Sequence, residues 1–429
     1  MKKFDEIKNR LQHSRLFKDS FWALFGSGVG KGLSLIAGVI VARFLGKEIY
    51  GEYGMIKNTL TYIAAFSTLG LGYSATKYIA EFYKTDPAKT YGSIKYAREI
   101  TLISSSIMAL ALFIFATPVA RFLDASHLSN TFRLTSLSLI LNAVNTTQIG
   151  ILSGFGEYKV AARNQSIAGI ATFFTSAAFT YFWSIDGAIV ALVASFALNC
   201  ILNAISISPI KKSLNISNYG DAAFRKEIIK FSIPIACQES LYSISHWGIS
   251  FVLIKLASYG ELGLYSAAVQ WAGMILFIPA VLRNVTLSHL SGNLNDVKSH
   301  KRTLNTMLGV NFISTTIPFL VVCLFANIIC SFYGAEFVGL KPVLLVYVFS
   351  TIFSCLSNVY TQEYMSRGRN WFLFWSRVLR DGANILLGVI LIKIFVQEGA
   401  ALMFAIATVV AQIIYFVILH YSLNGNENQ

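Results

Sequence analysis

Arg43-Phe44-Leu45-Gly46-Lys47-Glu48-Ile49-Tyr50-Gly51-Glu52-Tyr53 follows the first long apolar run of the chain. A related stretch, Lys255-Leu256-Ala257-Ser258-Tyr259-Gly260-Glu261-Leu262-Gly263-Leu264-Tyr265, follows the seventh. Gly51 matches Gly263 and Tyr53 matches Tyr265, both at an offset of 212 residues. The same offset carries Gly156 onto Gly368, and Asp186-Gly187-Ala188 onto Glu398-Gly399-Ala400. One such match is chance. Three landmarks at one offset, all in or beside short connections, mark an internal duplication.

The runs that these connections join are membrane spans. Of the 429 residues 55% are apolar and only 13% charged, too little charge to coat a soluble protein of this size. Apolar stretches of about 20 residues, each long enough to cross a hydrocarbon core, recur along the whole chain. Twelve are expected, at 20–42, 54–75, 100–119, 132–152, 164–183, 188–208, 231–254, 263–285, 303–326, 343–362, 372–392 and 400–421. A spanning segment must satisfy its own backbone hydrogen bonds, so these are helices. Pro234, Pro279 and Pro318 fall within spans seven, eight and nine, where kinks are expected.

The reading is an all-α integral membrane protein with about twelve transmembrane helices in two six-helix, pseudo-symmetric lobes. Six spans per half return the chain to its starting side, so the halves share one orientation about an axis along the membrane normal. The expected division is a basic arm at 1–19, lobes at 20–208 and 231–421, a linker at 209–230 and a tail at 422–429. In the arm, Phe4, Ile7 and Leu11 share one helical face among Lys2, Lys3, Lys8 and Arg10, a pattern suited to an anionic leaflet or to an ordinary solvated tail.

The net charge of +14 follows from topology, and nucleic acid is not an expected partner. Alternate connections carry 23 Lys and Arg on one side and 6 on the other. The positive-inside rule then places both termini in the cytoplasm. The five cysteines are scattered in or beside spans with no C-x-x-C, and read as small buried hydrophobes.

Gly26-Ser27-Gly28-Val29-Gly30-Lys31-Gly32 looks at first like a phosphate loop. A P-loop, however, needs a glycine where Phe25 stands and a hydroxyl where Gly32 stands. Lys31 is instead a cation about eleven residues into a span, beyond easy snorkelling from either end. The glycines around it let another backbone or a ligand approach. Lys57, Arg133, Arg283, Arg377 and Arg380 are the other basic residues within spans, against only Glu239 and Asp381. Intramembrane charges are costly and usually mark a watery cavity or a pairing.

Lys31, Lys57, Arg133, Arg283 and Arg380 are accordingly the candidate substrate contacts. Snorkelling to the interface is the competing reading for Lys57, Arg133 and Arg283. Arg377 and Asp381, at i and i+4, form a candidate structural ion pair. Glu239 is a candidate carrier of a coupling ion, with a structural partnership to an arginine as the alternative. No catalytic constellation and no metal cluster is present, so an enzyme is not expected. No cofactor is expected beyond H⁺ or Na⁺ coupling.

Ile40-Val41-Ala42-Arg43-Phe44-Leu45-Gly46, with Tyr50-Gly51-Glu52-Tyr53 after it, resembles the start of the polysaccharide-biosynthesis, O-antigen-type flippases. These belong to the superfamily that also holds lipid II flippases and multidrug/toxin extruders. The resemblance implies a translocase passing an undecaprenyl-diphosphate-linked oligosaccharide across the bacterial cytoplasmic membrane by alternating access. It also implies membrane lipids, a polysaccharide polymerase and other envelope-glycan machinery as partners. Lys31, twelve residues before Arg43, is the position it suggests for a cavity-facing cation. A multidrug/toxin antiporter is the alternative, expected to carry intramembrane carboxylates in excess. A membrane polysaccharide polymerase is a further one, expected to carry a large outer loop.

Overall fold

The computed structural model describes residues 15–427 apart from 217–218, 293–296, 368 and 396–398. Among the described residues there are thirteen α-helices, two single 3₁₀ turns and no strand. The helices are α1 (Arg15–Thr68), α2 (Leu71–Phe82), α3 (Pro87–Ile114), α4 (Ala116–Phe122), α5 (Ser129–Gly154), α6 (Tyr158–Ser213) and α7 (Ala222–Leu256). They continue with α8 (Tyr259–Ile275), α9 (Phe277–Gly292), α10 (Val297–Tyr333), α11 (Leu340–Ser366), α12 (Asn370–Ile394) and α13 (Ala400–Glu427).

Two of these are double. α1 breaks at Gly46, whose φ of 70° and ψ of 169° are open to glycine and hostile to other residues. α6 breaks at Trp183 and Ser184, where Ser184 takes φ 50°. Asn164 donates to Asn203 Oδ1 and to Ser206 Oγ, each at 3.0 Å, and Thr172 donates to Ser195 Oγ at 2.7 Å. In an unbroken helix Asn164 and Asn203 would stand roughly 58 Å apart. The chain therefore turns back at Ser184 into an antiparallel pair.

Elsewhere one span is made of two helices. α1 gives way to α2 across Leu69 and Gly70, both at positive φ. α8 and α9 meet at a 52° bend. Pro279 sits in the first turn of α9, where its missing N–H leaves no helical bond unmade. α10, by contrast, runs through Pro318 as one helix.

Counted this way, about twelve crossings result, in the places the apolar runs predict. Five helices are each long and apolar enough to cross, and the bent pair α8–α9 is a sixth. The remainder are broken or carry too much polarity to pass on composition alone. α12 holds Arg377, Arg380 and Asp381, and α5 is rich in Ser, Thr and Asn.

Large apolar residues face outward in stripes suited to lipid. Ile103, Ile107, Leu110 and Ile114 on α3, and Ile313, Ile317, Leu320 and Leu324 on α10, are all more than half exposed. The interior is instead stitched by small polar groups. Thr101 and Thr147 meet at 2.7 Å, Ser74 and Ser232 at 2.6 Å, and Asn203 donates to Asn145 Oδ1 at 3.0 Å. Where water cannot compete, such bonds join helices that have no hydrophobic reason to associate.

The chain forms two compact units, one holding Met55–Trp247 with the chain up to Val41, the other Ala42–Gly54 with Gly248–Gln429. In the first, Leu71, Tyr78, Tyr96, Ile100, Phe224 and Ile228 make one core cluster. In the second, a core of Leu290, Leu304, Tyr360, Tyr364 and Leu419 joins α9, α10, α11 and α13.

Within the second unit the two copies of the repeated motif touch. A Cβ on Gly51 would overlap the Tyr259 carbonyl, and one on Gly263 would overlap the Lys47 carbonyl. Tyr259 and Lys47 are themselves 212 residues apart, as Gly51 and Gly263 are. Residue i meets j' while i' meets j, the signature of a two-fold relation. Glu48 lies over its counterpart Gly260, and Gly54 lies against its counterpart Ser266. Equivalent residues can meet only near an axis relating them, so a local two-fold relates these two segments at their crossing.

Candidate functional site

Each unit holds part of the intramembrane charge. In the first, Lys31 lies on α1, and its side chain lies outside the described residues. The backbone beside it is placed: Gly30 packs against Gly169 and Gln165 of α6. Lys57, farther along α1, is exposed. Arg133, on the first turns of α5, is also exposed and donates to Asn130 Oδ1 at 3.0 Å and Thr117 Oγ1 at 3.3 Å. Glu239 lies on α7, and its side chain likewise lies outside the described residues.

In the second unit Arg283 is exposed on α9. Arg377, Arg380 and Asp381 lie within little more than one turn of α12. Asp381 accepts from Arg380, whose Nε and Nη2 approach its Oδ1 at 2.7 and 2.5 Å. The same guanidinium stacks over the Tyr415 ring, 4.9 Å from its centroid. Arg380 is thus held between a carboxylate and an aromatic face, and Arg377 stands half-buried one residue-turn earlier. One turn on, Asn384 Oδ1 accepts from Thr408 of α13 at 3.3 Å.

Two clusters were not foreseen. The first is aromatic. Trp247 stacks with Tyr62 at 5.7 Å and 30°, donates its indole N–H to Thr59 Oγ1 at 3.2 Å, and runs parallel to Phe122. No pattern in the sequence links positions 62, 122 and 247, though an aromatic two turns from a span end is itself a hint of an interfacial role.

The second cluster is ionic. Glu363, at the end of α11, is fully buried, and both its carboxylate oxygens lie 2.8 Å from His300 Nε2 of α10. Arg367 Nε reaches the same carboxylate at 2.5 Å. An ionised carboxylate only accepts, so Nε2 carries the proton and donates. His300 Nδ1, also buried, has no hydrogen-bond partner. Both residues fall in polar connections of the sequence, where a charged side chain is ordinarily solvated.

The stretch 16–286 matches the family model described as polysaccharide biosynthesis protein. The chain belongs to this family. Its long apolar helices make it a multi-pass membrane protein. A putative O-antigen transporter of Shigella flexneri is 22% identical over 333 residues, 75% of this chain and 77% of that protein. The fold is shared with a multidrug resistance MATE family transporter of the MOP superfamily in its inward-facing conformation. That match has a TM-score of 0.77 at 15% identity, over 92% of this chain and 95% of the other. The lipid II flippase MurJ, inward closed, matches with a TM-score of 0.73 at 15% identity, over 93% of this chain and 87% of its own.

Proposed function

We propose that this flippase carries an undecaprenyl-diphosphate-linked oligosaccharide, an O-antigen or similar glycan repeat unit, across the cytoplasmic membrane by alternating access. The observation that carries the reading is the charge balance within the spans of a polysaccharide-biosynthesis family member. Six basic residues stand against two carboxylates. A diphosphate must shed water to cross, and fixed cations replace that hydration. A cationic drug would meet the opposite field, so the extruder reading is disfavoured. Lys31, Lys57, Arg133, Arg283 and Arg380 are the head-group candidates, and Arg380 would serve while braced by Asp381. Each six-span lobe rocks against the other, and both termini lie in the cytoplasm.

Export of an anion from a negative interior is electrically downhill, so the membrane potential assists it. Return of the empty carrier draws on H⁺ or Na⁺ through Glu239. The glycan comes from envelope-glycan enzymes inside, and a polymerase takes it up outside.

Lys31→Ala tests the reading. A hydrogen bond to a charged group contributes on the order of 1.5–3 kcal/mol, so head-group binding should weaken roughly ten- to a hundredfold. Glycan export should fail while membrane insertion stays normal, and Lys31→Arg should keep part of the activity. Wild-type export by Lys31→Ala would return Lys31 to a packing role.

A further inference from the structure

A cavity of ≈ 710 Å³ opens in the first unit, walled by α3, α5 and α6. Its α6 wall is one helical face, from Ala204 and Ile207 to Lys211, with Lys212 alongside. Arg98 and Tyr91 line it from α3. Lys211 Nζ sits 4.9 Å from the centroid of the Tyr91 ring. From Lys211 to Ala204 the wall descends about 10 Å toward the membrane. Along α6 the lining therefore changes from cationic at Lys211 and Lys212 in the last turn to apolar at Ile207. Arg98, twelve residues into α3, faces buried Ile151 across the same space.

Three cations line this space, and none of the described lining residues is a carboxylate. Topology alone puts lysines at the ends of helices, and last-turn lysines also complement the helix dipole. Neither effect gathers them around a hollow with a buried amide on its wall. Gln148, more than nine-tenths buried, also lines the cavity. Its Nε2 donates to the Cys200 carbonyl at 3.2 Å, and its Oε1 has no donor. A phosphate by itself offers no hydrogen to that oxygen. A phosphate ester carrying hydroxyls offers both halves of what the lining lacks, and an apolar continuation suits Ile207 and Ala204.

We propose that this cavity binds the headgroup of an acidic phospholipid, its phosphate against Arg98, Lys211 and Lys212 and a headgroup hydroxyl donating to Gln148. Under the orientation proposed above, the site opens to the cytoplasmic leaflet, where anionic lipids attract juxtamembrane cations. The site is separate from the head-group cations of transport and requires no glycan.

The full chain in phosphatidylcholine nanodiscs supplies the test. Phosphatidylglycerol added at a few per cent should raise the melting temperature and appear as a retained lipid in native mass spectra. Combined Arg98→Gln, Lys211→Gln and Lys212→Gln should weaken that binding by about tenfold or more. Lys212→Gln alone, at an exposed position, should weaken it a few-fold without disturbing the fold. Gln148→Leu, which keeps every charge, should also lower retention of phosphatidylglycerol. Inorganic phosphate at millimolar concentration should not reproduce the stabilisation; if it does, with the same residue dependence, the site takes free anions and the lipid assignment falls. Unchanged phosphatidylglycerol binding by the triple variant would overturn the site altogether.

Discussion

The crossing at Gly51 and Gly263 and the cluster at Glu363 are both tightly built parts of the second unit, by opposite means. At the crossing, two helices meet backbone against backbone with no side chain between them. At the cluster, a whole carboxylate is buried and held by an imidazole and a guanidinium. The first arrangement gains van der Waals contact and desolvates nothing charged. The second has a desolvation cost that only complete pairing offsets. Close packing therefore tolerates no added volume, and paired charge tolerates no missing partner. The two regions should fail in different ways when each is perturbed.

The largest loss is expected at Glu363. Glu363→Gln keeps the shape and removes the charge, leaving Arg367 beside a neutral amide and His300 without its acceptor carboxylate. Breaking a buried pair costs about 3–5 kcal/mol. Arg367 is 30% exposed and can turn toward water, so the lower end of that range is expected. Thermal unfolding of the purified protein reads the loss. An unchanged midpoint would mean that the pair contributes little beyond its own desolvation.

A smaller effect is expected at the crossing. Gly51→Ala drives a methyl into the Tyr259 carbonyl, and Gly263→Ala drives one into the Lys47 carbonyl. Overpacking of this kind costs typically about 1–3 kcal/mol. Because the contacts are reciprocal, the two single variants should lose similar amounts. The double variant should lose less than their sum, since one displacement of the helices relieves both clashes. Strongly unequal single losses would break the two-fold interpretation and leave an ordinary helix contact.

The two regions also differ in how readily the sequence disclosed them. The crossing was visible because duplication repeats its glycines, so spacing alone pointed to Gly51 and Gly263. The twelve spans were visible for a related reason: hydrocarbon thickness sets a length, and the 158–213 stretch is too long for one crossing. Glu363 was hidden. Its partner His300 is 63 residues away, and a carboxylate in a connection normally meets water. The Leu69–Gly70 break was hidden as well, because positive φ at a leucine leaves no mark in composition. Asp381 shows a subtler limit. The i, i+4 rule pointed to Arg377 for it and gave no hint of the adjacent Arg380, which the structure places on its carboxylate although helical geometry ordinarily points such a neighbour elsewhere.

The smallest expected effect lies outside both regions and calibrates them, in the connection that leads into α7. Asp221 caps that helix: its Oδ1 accepts from the Phe224 N–H at 3.0 Å, while its own N–H donates to Tyr96 Oη at 2.6 Å. Lys95 Nζ donates to the Tyr219 carbonyl at 2.9 Å, so the segment is fastened to α3 at two points. The Phe224 N–H holds the Asp221 carboxyl below its ordinary 3.8, and burial with the Asp221 charge pushes the Tyr219 phenol up to about 12. A depressed carboxyl contributes stability that is present above the unfolded pKa and lost as pH falls through the folded one. Between pH 5 and 8 the contribution of Asp221 should therefore be constant. Asp221→Ala should lower the unfolding midpoint slightly across that window, less than either Gly51→Ala or Glu363→Gln, because water can reach the half-buried cap and replace it. Below about pH 4 the wild type should approach the variant as the carboxyl protonates. Midpoints measured from pH 3 to 8 on both proteins check this, and a gap that widens on acidification would show that the cap is not what distinguishes them.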